Sequence, residues 1–234
     1  MTKKRLFILA PVMPQSADIT GMAESLSFLS PYYQLDWCDP LAEIDITLPN
    51  DTYYHHWQEK LPGLLPHYAG FIGFSFGGVI LQQCLPLLLK KKLILFSTPT
   101  FADTTLTEKL SRVIHLCQQH QLVAALESLY REVYFPNPLP VTKRDIGDTA
   151  QAEHRLITGL TKVLTTDSTK LITTSKANYL HFIGEQSHLV NHRNVLAPPH
   201  GQLLIVPGAS MRVLQDNLPF CKKIILEKLD YDAK

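Results

Sequence analysis

An excess of either charge is missing from this sequence: 22 Lys and Arg stand against 21 Asp and Glu, a formal charge of +1 over 234 residues. Without a basic surplus there is little to neutralise a phosphate backbone, which argues against nucleic acid as a partner. Long hydrophobic runs are missing as well. Even Val79 to Leu89 carries Gln82 and Gln83 and ends in Lys90-Lys91-Lys92, well short of the ~20 apolar residues a membrane helix needs. Cysteine is sparse: Cys38, Cys84, Cys117 and Cys221 are the four, with no Cys-x-x-Cys pair and no His in metal-finger spacing. They read as reduced core thiols of a cytoplasmic protein. Internal repeats and low-complexity tracts are absent.

The charged start Lys3-Lys4-Arg5 followed by Leu6 to Ala10 imitates a secretion signal, but Pro11 and Pro14 cut the apolar run short. A short apolar run ended by turn residues suits a first buried β-strand. What is present is ordinary globular material. With 45% hydrophobic and 18% charged residues, the chain can bury a sizeable core, which excludes disorder and fibrous structure. The expectation is a soluble, intracellular, single globular protein.

Short apolar runs alternate with amphipathic ones, the pattern of a parallel sheet covered by crossover helices on both faces. Strands are expected at Arg5 to Ala10, Gln34 to Cys38, Gly70 to Phe74, Lys92 to Phe96, Tyr179 to Ile183 and Gln202 to Val206. Helices are expected at Ile19 to Leu29, Thr52 to Leu65, Gly77 to Leu89 and Leu214 to Leu229. Right-handed crossovers make a doubly wound sheet the economical topology. From Phe101 to Lys176 the alternation stops, and Leu106 to Cys117, Leu122 to Tyr134 and Ala152 to Leu164 all show helical spacing. This predicts a helical lid over residues 101–176 inserted into a core of 1–100 and 177–234. Pro136-Asn137-Pro138-Leu139-Pro140 and the polar stretch through Asp148 divide it.

The stretch that carries chemistry is Gly73-Phe74-Ser75-Phe76-Gly77-Gly78, lying between an expected strand and an expected helix. Gly-x-Ser-x-Gly in that setting is a nucleophile elbow: the sharp turn lifts the serine hydroxyl above the sheet, and the glycines leave room for close packing. Ser75 also precedes a helix N-terminus, whose free N–H groups and dipole favour an anionic intermediate. The N–H of Phe76 is then one oxyanion donor.

With these residues the sequence resembles the α/β-hydrolase superfamily along its whole length. More narrowly, it is similar to small carboxylesterases of the pimeloyl-acyl-carrier-protein methyl ester esterase type. Leu93-Ile94-Leu95-Phe96-Ser97-Thr98-Pro99 look like that family's strand and turn into its helical cap, and Phe220-Cys221 sit within a similar last helix. The resemblance implies a mostly parallel sheet of about six strands and a cap after the strand that follows the elbow; the chain starts almost at the first parallel strand, so the antiparallel hairpin common in larger members is expected to be missing. It also implies an acid after the next-to-last strand and a histidine after the last. At those places stand Ser187 and Ser210. The first strand ends in Ala10-Pro11-Val12-Met13 in place of the family's His-Gly, which leaves the Val12 N–H as a second oxyanion donor.

An unassisted serine is a weak nucleophile and depends on a neighbouring base. Among ten histidines, His188 is the candidate base, being next to the acid position; His192 follows it, and Glu185 and Asp103 are candidate carboxylates. The alternative is that His188 is a surface loop residue. His55-His56 and His200 are expected away from the rim, and His115 and His120, in the insertion, are expected to be packed or solvent-exposed. No metal or cofactor is implied, because His188 and His192 alone offer too few ligands and no acid shares a face with a His pair in the zincin manner.

Under the cap, Leu116, Leu122, Leu126, Leu129, Tyr130, Tyr134, Leu156 and Leu160 either line an acyl- or aromatic-binding tunnel or hold the cap together. Arg131, Lys143-Arg144 and Arg155 either meet an acidic acyl carrier protein or form a solvated face. Two readings of function follow. One is a Ser75-dependent ester or thioester hydrolase with a non-standard triad. The other is a protein on the same scaffold that binds a small molecule, an acyl chain or a partner without hydrolysis; a different reaction, such as a lyase step, is neither supported nor rejected.

Overall fold

Six segments rich in Leu, Ile, Phe and Val form the strands, each bounded by Gly, Pro or polar turn residues. The computed structural model describes residues 3–140 and 146–229. The strands are β1 (Lys4–Leu9), β2 (Tyr33–Cys38), β3 (Gly70–Phe74), β4 (Lys92–Phe96), β5 (Tyr179–Gly184) and β6 (Gln202–Val206). All pair in parallel, in the order β2-β1-β3-β4-β5-β6. The chain turns outward from β1 in both directions, to β2 on one side and β3 on the other. In such sheets the crevice beyond the strand C-termini at this reversal is where ligands bind.

Because side chains alternate across a strand, the sheet buries two separate cores. One face carries Leu9, Phe71, Leu93, Leu95 and Tyr179, covered by α3 (Asn50–Leu64), α4 (Phe76–Gln83) and the helices between β4 and β5. The other carries Leu6, Ile8, Phe74, Phe96 and Phe182, covered by residues 24–29 and the last helix. Phe74, Phe96 and Phe182 lie in register on β3, β4 and β5, with ring centroids 4.7 and 5.2 Å apart. This aromatic ladder forms a stiff floor where the strands end.

Local chemistry adjusts several expected helices. The first is a short α1 (Ile19–Ala23) that tightens into a 3₁₀ stretch over Glu24–Leu29. Pro86 has no N–H with which to continue the α-helical ladder, and α4 ends at Gln83, followed by a 3₁₀ turn over Leu85–Leu87. The last helix is two pieces, α9 (Val213–Asp216) and α10 (Leu218–Lys228), because Asn217 caps the second through Phe220 N–H at 3.4 Å and Pro219 suits a first turn. Short α2 (Pro40–Glu43) and α8 (Thr169–Thr174) lack the length for a periodic signal. Between β4 and β5 stand α5 (Thr104–Gln118), α6 (Leu122–Tyr134) and α7 (Thr149–Thr165), with α5 packed on both others. Among the described residues no helix is long and apolar enough to cross a membrane.

Candidate functional site

β3 ends at Phe74 and α4 begins at Phe76, so Ser75 alone makes the turn, at φ +45° and ψ −110°. A non-glycine residue there is strained and persists only when its surroundings over-determine it. They do: Ser75 N–H donates to Phe96 O at 2.9 Å, and Ser75 O accepts from Val79 N–H at 3.0 Å. The neighbouring glycines are steric requirements. A Cβ on Gly77 would stand 2.3 Å from Leu9 O, and one on Gly73 would stand 2.6 Å from Gly78 Cα. Phe76 opens α4, so its N–H is one of the helix's first groups, which have no acceptor within the helix.

Ser75 opens onto a cavity of about 540 Å³ beneath the inserted helices. Its walls are mainly apolar: Val12 and Met13 after β1, Leu110 of α5, Leu129 and Val133 of α6, and Leu160 and Val163 of α7 contribute. Tyr130 and Tyr134 face it as well. Leu126 and Leu156 do not line it; they are buried in the core beneath the inserted helices, as is Leu122, and Leu116 packs against that core. The apolar stripe of each inserted helix is thus divided between cavity wall and helix packing.

Ser187 and Ser210, which the resemblance set at its acid and histidine places, both make hydrogen bonds within their own loops. Ser187 is buried, and its Oγ accepts from Val190 N–H at 3.3 Å within a turn. Ser210 is fully buried, and its hydroxyl donates to Asp216 Oδ2 at 2.5 Å while its N–H donates to the same oxygen at 2.8 Å. Ser210 Oγ in turn accepts from Arg212 N–H at 3.0 Å. Neither serine reaches the cavity wall.

All ten histidines fall within the described residues, and none lines the cavity. His188 is exposed, its ring stacked on Phe135 at 3.5 Å between centroids. Exposed His192 lies on the same loop. His181 of β5 is completely buried; its Nε2 accepts from Thr98 N–H at 3.2 Å, and burial pushes its pKa down to about 3, so the ring is neutral. The candidate acids have other work. Asp103 caps α5 through Leu106 N–H at 2.8 Å, and exposed Glu185 accepts from Gly208 N–H at 2.8 Å.

Arg155 corrects an expectation. It is not on a solvated face: it donates to Asp39 at 2.8 Å with both side chains 8% exposed, and to Met13 O at 3.0 Å. α7 is thereby anchored to the loop that carries Val12, and Gly159 lets the helix approach, since a Cβ there would lie 2.8 Å from Val12 Cγ2. Arg131 is exposed and pairs with Glu127 at 2.7 Å. Lys143 and Arg144 lie outside the described residues.

Several polar residues of the site escaped sequence reasoning. Ser97, directly after β4, also has positive φ, at +44°. Its N–H donates to Phe182 O at 2.8 Å and its hydroxyl to Met211 O at 2.7 Å, tying the loop after β6 to the cavity. A serine directly after a buried strand was the available signal. Asp18 and Arg212 also line the cavity, and no motif marks either of them.

Neither a family model nor a curated protein matches this sequence. Solved structures do match its fold. One is an α/β hydrolase enzyme from a Medee basin deep-sea metagenome library, 12% identical, TM-score 0.73, covering 100% of this chain and 91% of that one. MenH from S. aureus is 12% identical with TM-score 0.70, covering 98% of this chain and 94% of that one. An esterase from Exiguobacterium antarcticum is 13% identical with TM-score 0.69, covering 97% and 92%. The chain has the α/β-hydrolase fold.

Proposed function

We propose that this chain is a binding protein built on the α/β-hydrolase fold, holding a small amphipathic or acyl ligand beneath the inserted helices. One observation carries the reading: Ser75 opens on a cavity whose lining residues include no histidine. Serine hydrolysis needs a base within hydrogen-bond reach, and removal of a triad member costs orders of magnitude in rate. The cavity itself is of ligand size, within the roughly 300–1,000 Å³ typical of small-molecule sites. Its apolar walls suit a hydrocarbon body, and Ser75 supplies a hydrogen bond at one place on them.

The second reading is a slow ester or thioester hydrolase acting through Ser75. The strained backbone of Ser75 favours it, because such strain clusters at reactive residues. Both readings suit a cytoplasmic protein, since all four cysteines are unpaired and buried. An acyl carrier protein as partner gets no support from Arg155, which is committed to Asp39.

Labelling with a fluorophosphonate, read by peptide mass analysis against a Ser75→Ala control, separates the two. The binding reading expects no more label than the control takes. Rapid labelling confined to Ser75 would overturn it in favour of the hydrolase.

A further inference from the structure

Among the described residues, two that line the cavity carry a formal charge, Asp18 and Arg212. Asp18 has a local partner: its Oδ2 accepts from Gln15 N–H at 3.2 Å. Arg212 is different. Its guanidinium carbon lies 4.0 Å from the centroid of the Tyr134 ring, which gives the cation a flat shelf on α6. Among the described residues it meets no carboxylate, and its backbone N–H, not its side chain, makes the hydrogen bond to Ser210. The nearest carboxylate in sequence, Asp216, is occupied twice by Ser210.

The loop that presents Arg212 is held from two directions. Ser97 bonds Met211 O, and the Ser210–Asp216 pair fixes the turn just before it. A guanidinium carries five donors in a planar fork, and an Arg stacked on an aromatic face is oriented without those donors being used. In an apolar cavity such a group is the natural counterpart of a carboxylate, which it binds through two parallel hydrogen bonds.

From this arrangement we propose that Arg212, shelved on Tyr134, is the specificity-determining residue for a monoanionic carboxylate at the end of an apolar ligand. The proposal rests on the binding reading above and deepens it. A single negative charge is favoured because Asp18 shares the cavity: one ligand carboxylate with Arg212 leaves one residual charge, whereas a phosphate dianion would add a second.

The test is calorimetric titration of the intact protein with octanoate, octanol and octyl phosphate, repeated with Arg212→Gln and Arg212→Lys. A hydrogen-bonded charge pair should favour octanoate over octanol by about ten- to a hundredfold in the native protein. That ratio should fall to within a few-fold of one in Arg212→Gln and to an intermediate value in Arg212→Lys, which keeps the charge and loses the fork. Circular dichroism checks that the variants are folded. If both ligands bind with equal affinity, or the ratio survives Arg212→Gln, the assignment of Arg212 is overturned while the cavity reading stands. Tighter binding of octyl phosphate than octanoate would overturn the monoanion assignment. Binding of none of the three would overturn the cavity reading and the Arg212 assignment with it.

Discussion

Arg155 and Asp39 form a buried ion pair at 2.8 Å that joins α7 to the loop after β2, while Arg155 Nε donates to Met13 O in the loop after β1. Asp39 also caps α2 through Leu41 N–H at 3.0 Å and accepts from the Ser16 hydroxyl. Removing one partner strands a charge in a site that water barely reaches. Arg155→Ala should therefore lower stability by about 3–5 kcal/mol, measured by urea unfolding. Adding Asp39→Ala should recover part of that loss, since no lone charge then remains. A single-variant loss no larger than that of an exposed pair would refute the anchoring role.

His181 makes stability depend on pH. In the unfolded chain its ring titrates near 6.5, whereas burial holds it neutral down to about 3 in the fold. On acidification the unfolded state takes up the proton first, so this contribution is intact above pH ~6.5 and is lost progressively toward pH ~3. The slope within that window is at most about 1.4 kcal/mol per pH unit. His181→Gln should flatten it, as read from urea midpoints at about pH 7.5 and about pH 5.5. Equal slopes in both proteins would contradict the burial of a neutral ring.

Two glycines should respond in opposite directions to alanine. Gly77→Ala drives a methyl to 2.3 Å from Leu9 O, between β1 and α4, and should destabilise by at least about 1–3 kcal/mol. Gly63 in α3 has nothing within 4 Å of its would-be Cβ, and Gly63→Ala should stabilise by up to about 1 kcal/mol. Melting temperatures of the two variants decide the matter.

Ser97→Ala should act at the cavity as well as on the fold. It removes the donor to Met211 O, a half-buried hydrogen bond, at a cost of about 0.5–1.5 kcal/mol. It should also lower the preference for octanoate over octanol, because the loop bearing Arg212 loses a tether. Loss of stability with an unaltered preference would show that the loop is held without Ser97.

Much of the frame was legible from local pattern. Gly70–Phe74, Lys92–Phe96 and Gln202–Val206 are strands over the expected residues, and Leu122–Tyr134 is a helix over its expected span. Each is a short apolar run between turn residues or a periodic stripe, features written in neighbouring residues. The turn at Ser75 was legible for the same reason, since strand, glycine-flanked serine and helix follow one another directly in the chain. The splits at Pro86 and Asn217 fell where a local breaker interrupts an otherwise continuous apolar pattern.

The contents of the cavity were not legible in that way. Helical periodicity identifies the stripe of α6 that is buried, and Leu126 and Leu129 both belong to it. Both pack into the core, and only the packing of α5 and α7 against that stripe gives Leu129, and not Leu126, a place on the cavity wall as well. Charge behaves likewise: Arg155 and Arg131 look alike in sequence, yet one meets Asp39, 116 residues away, in a buried pair and the other stays in solvent.

The sequence by itself therefore determined the order of strand and helix and the turn that presents Ser75, because those follow from interactions between residues close along the chain. Tertiary structure alone decided that His188 stacks on Phe135 at the surface and that Arg212, a residue of the cavity lining, is shelved on Tyr134. Those outcomes depend on which distant surfaces meet, and burial, not residue type, sets whether a polar side chain becomes a brace, a solvated group or part of a site.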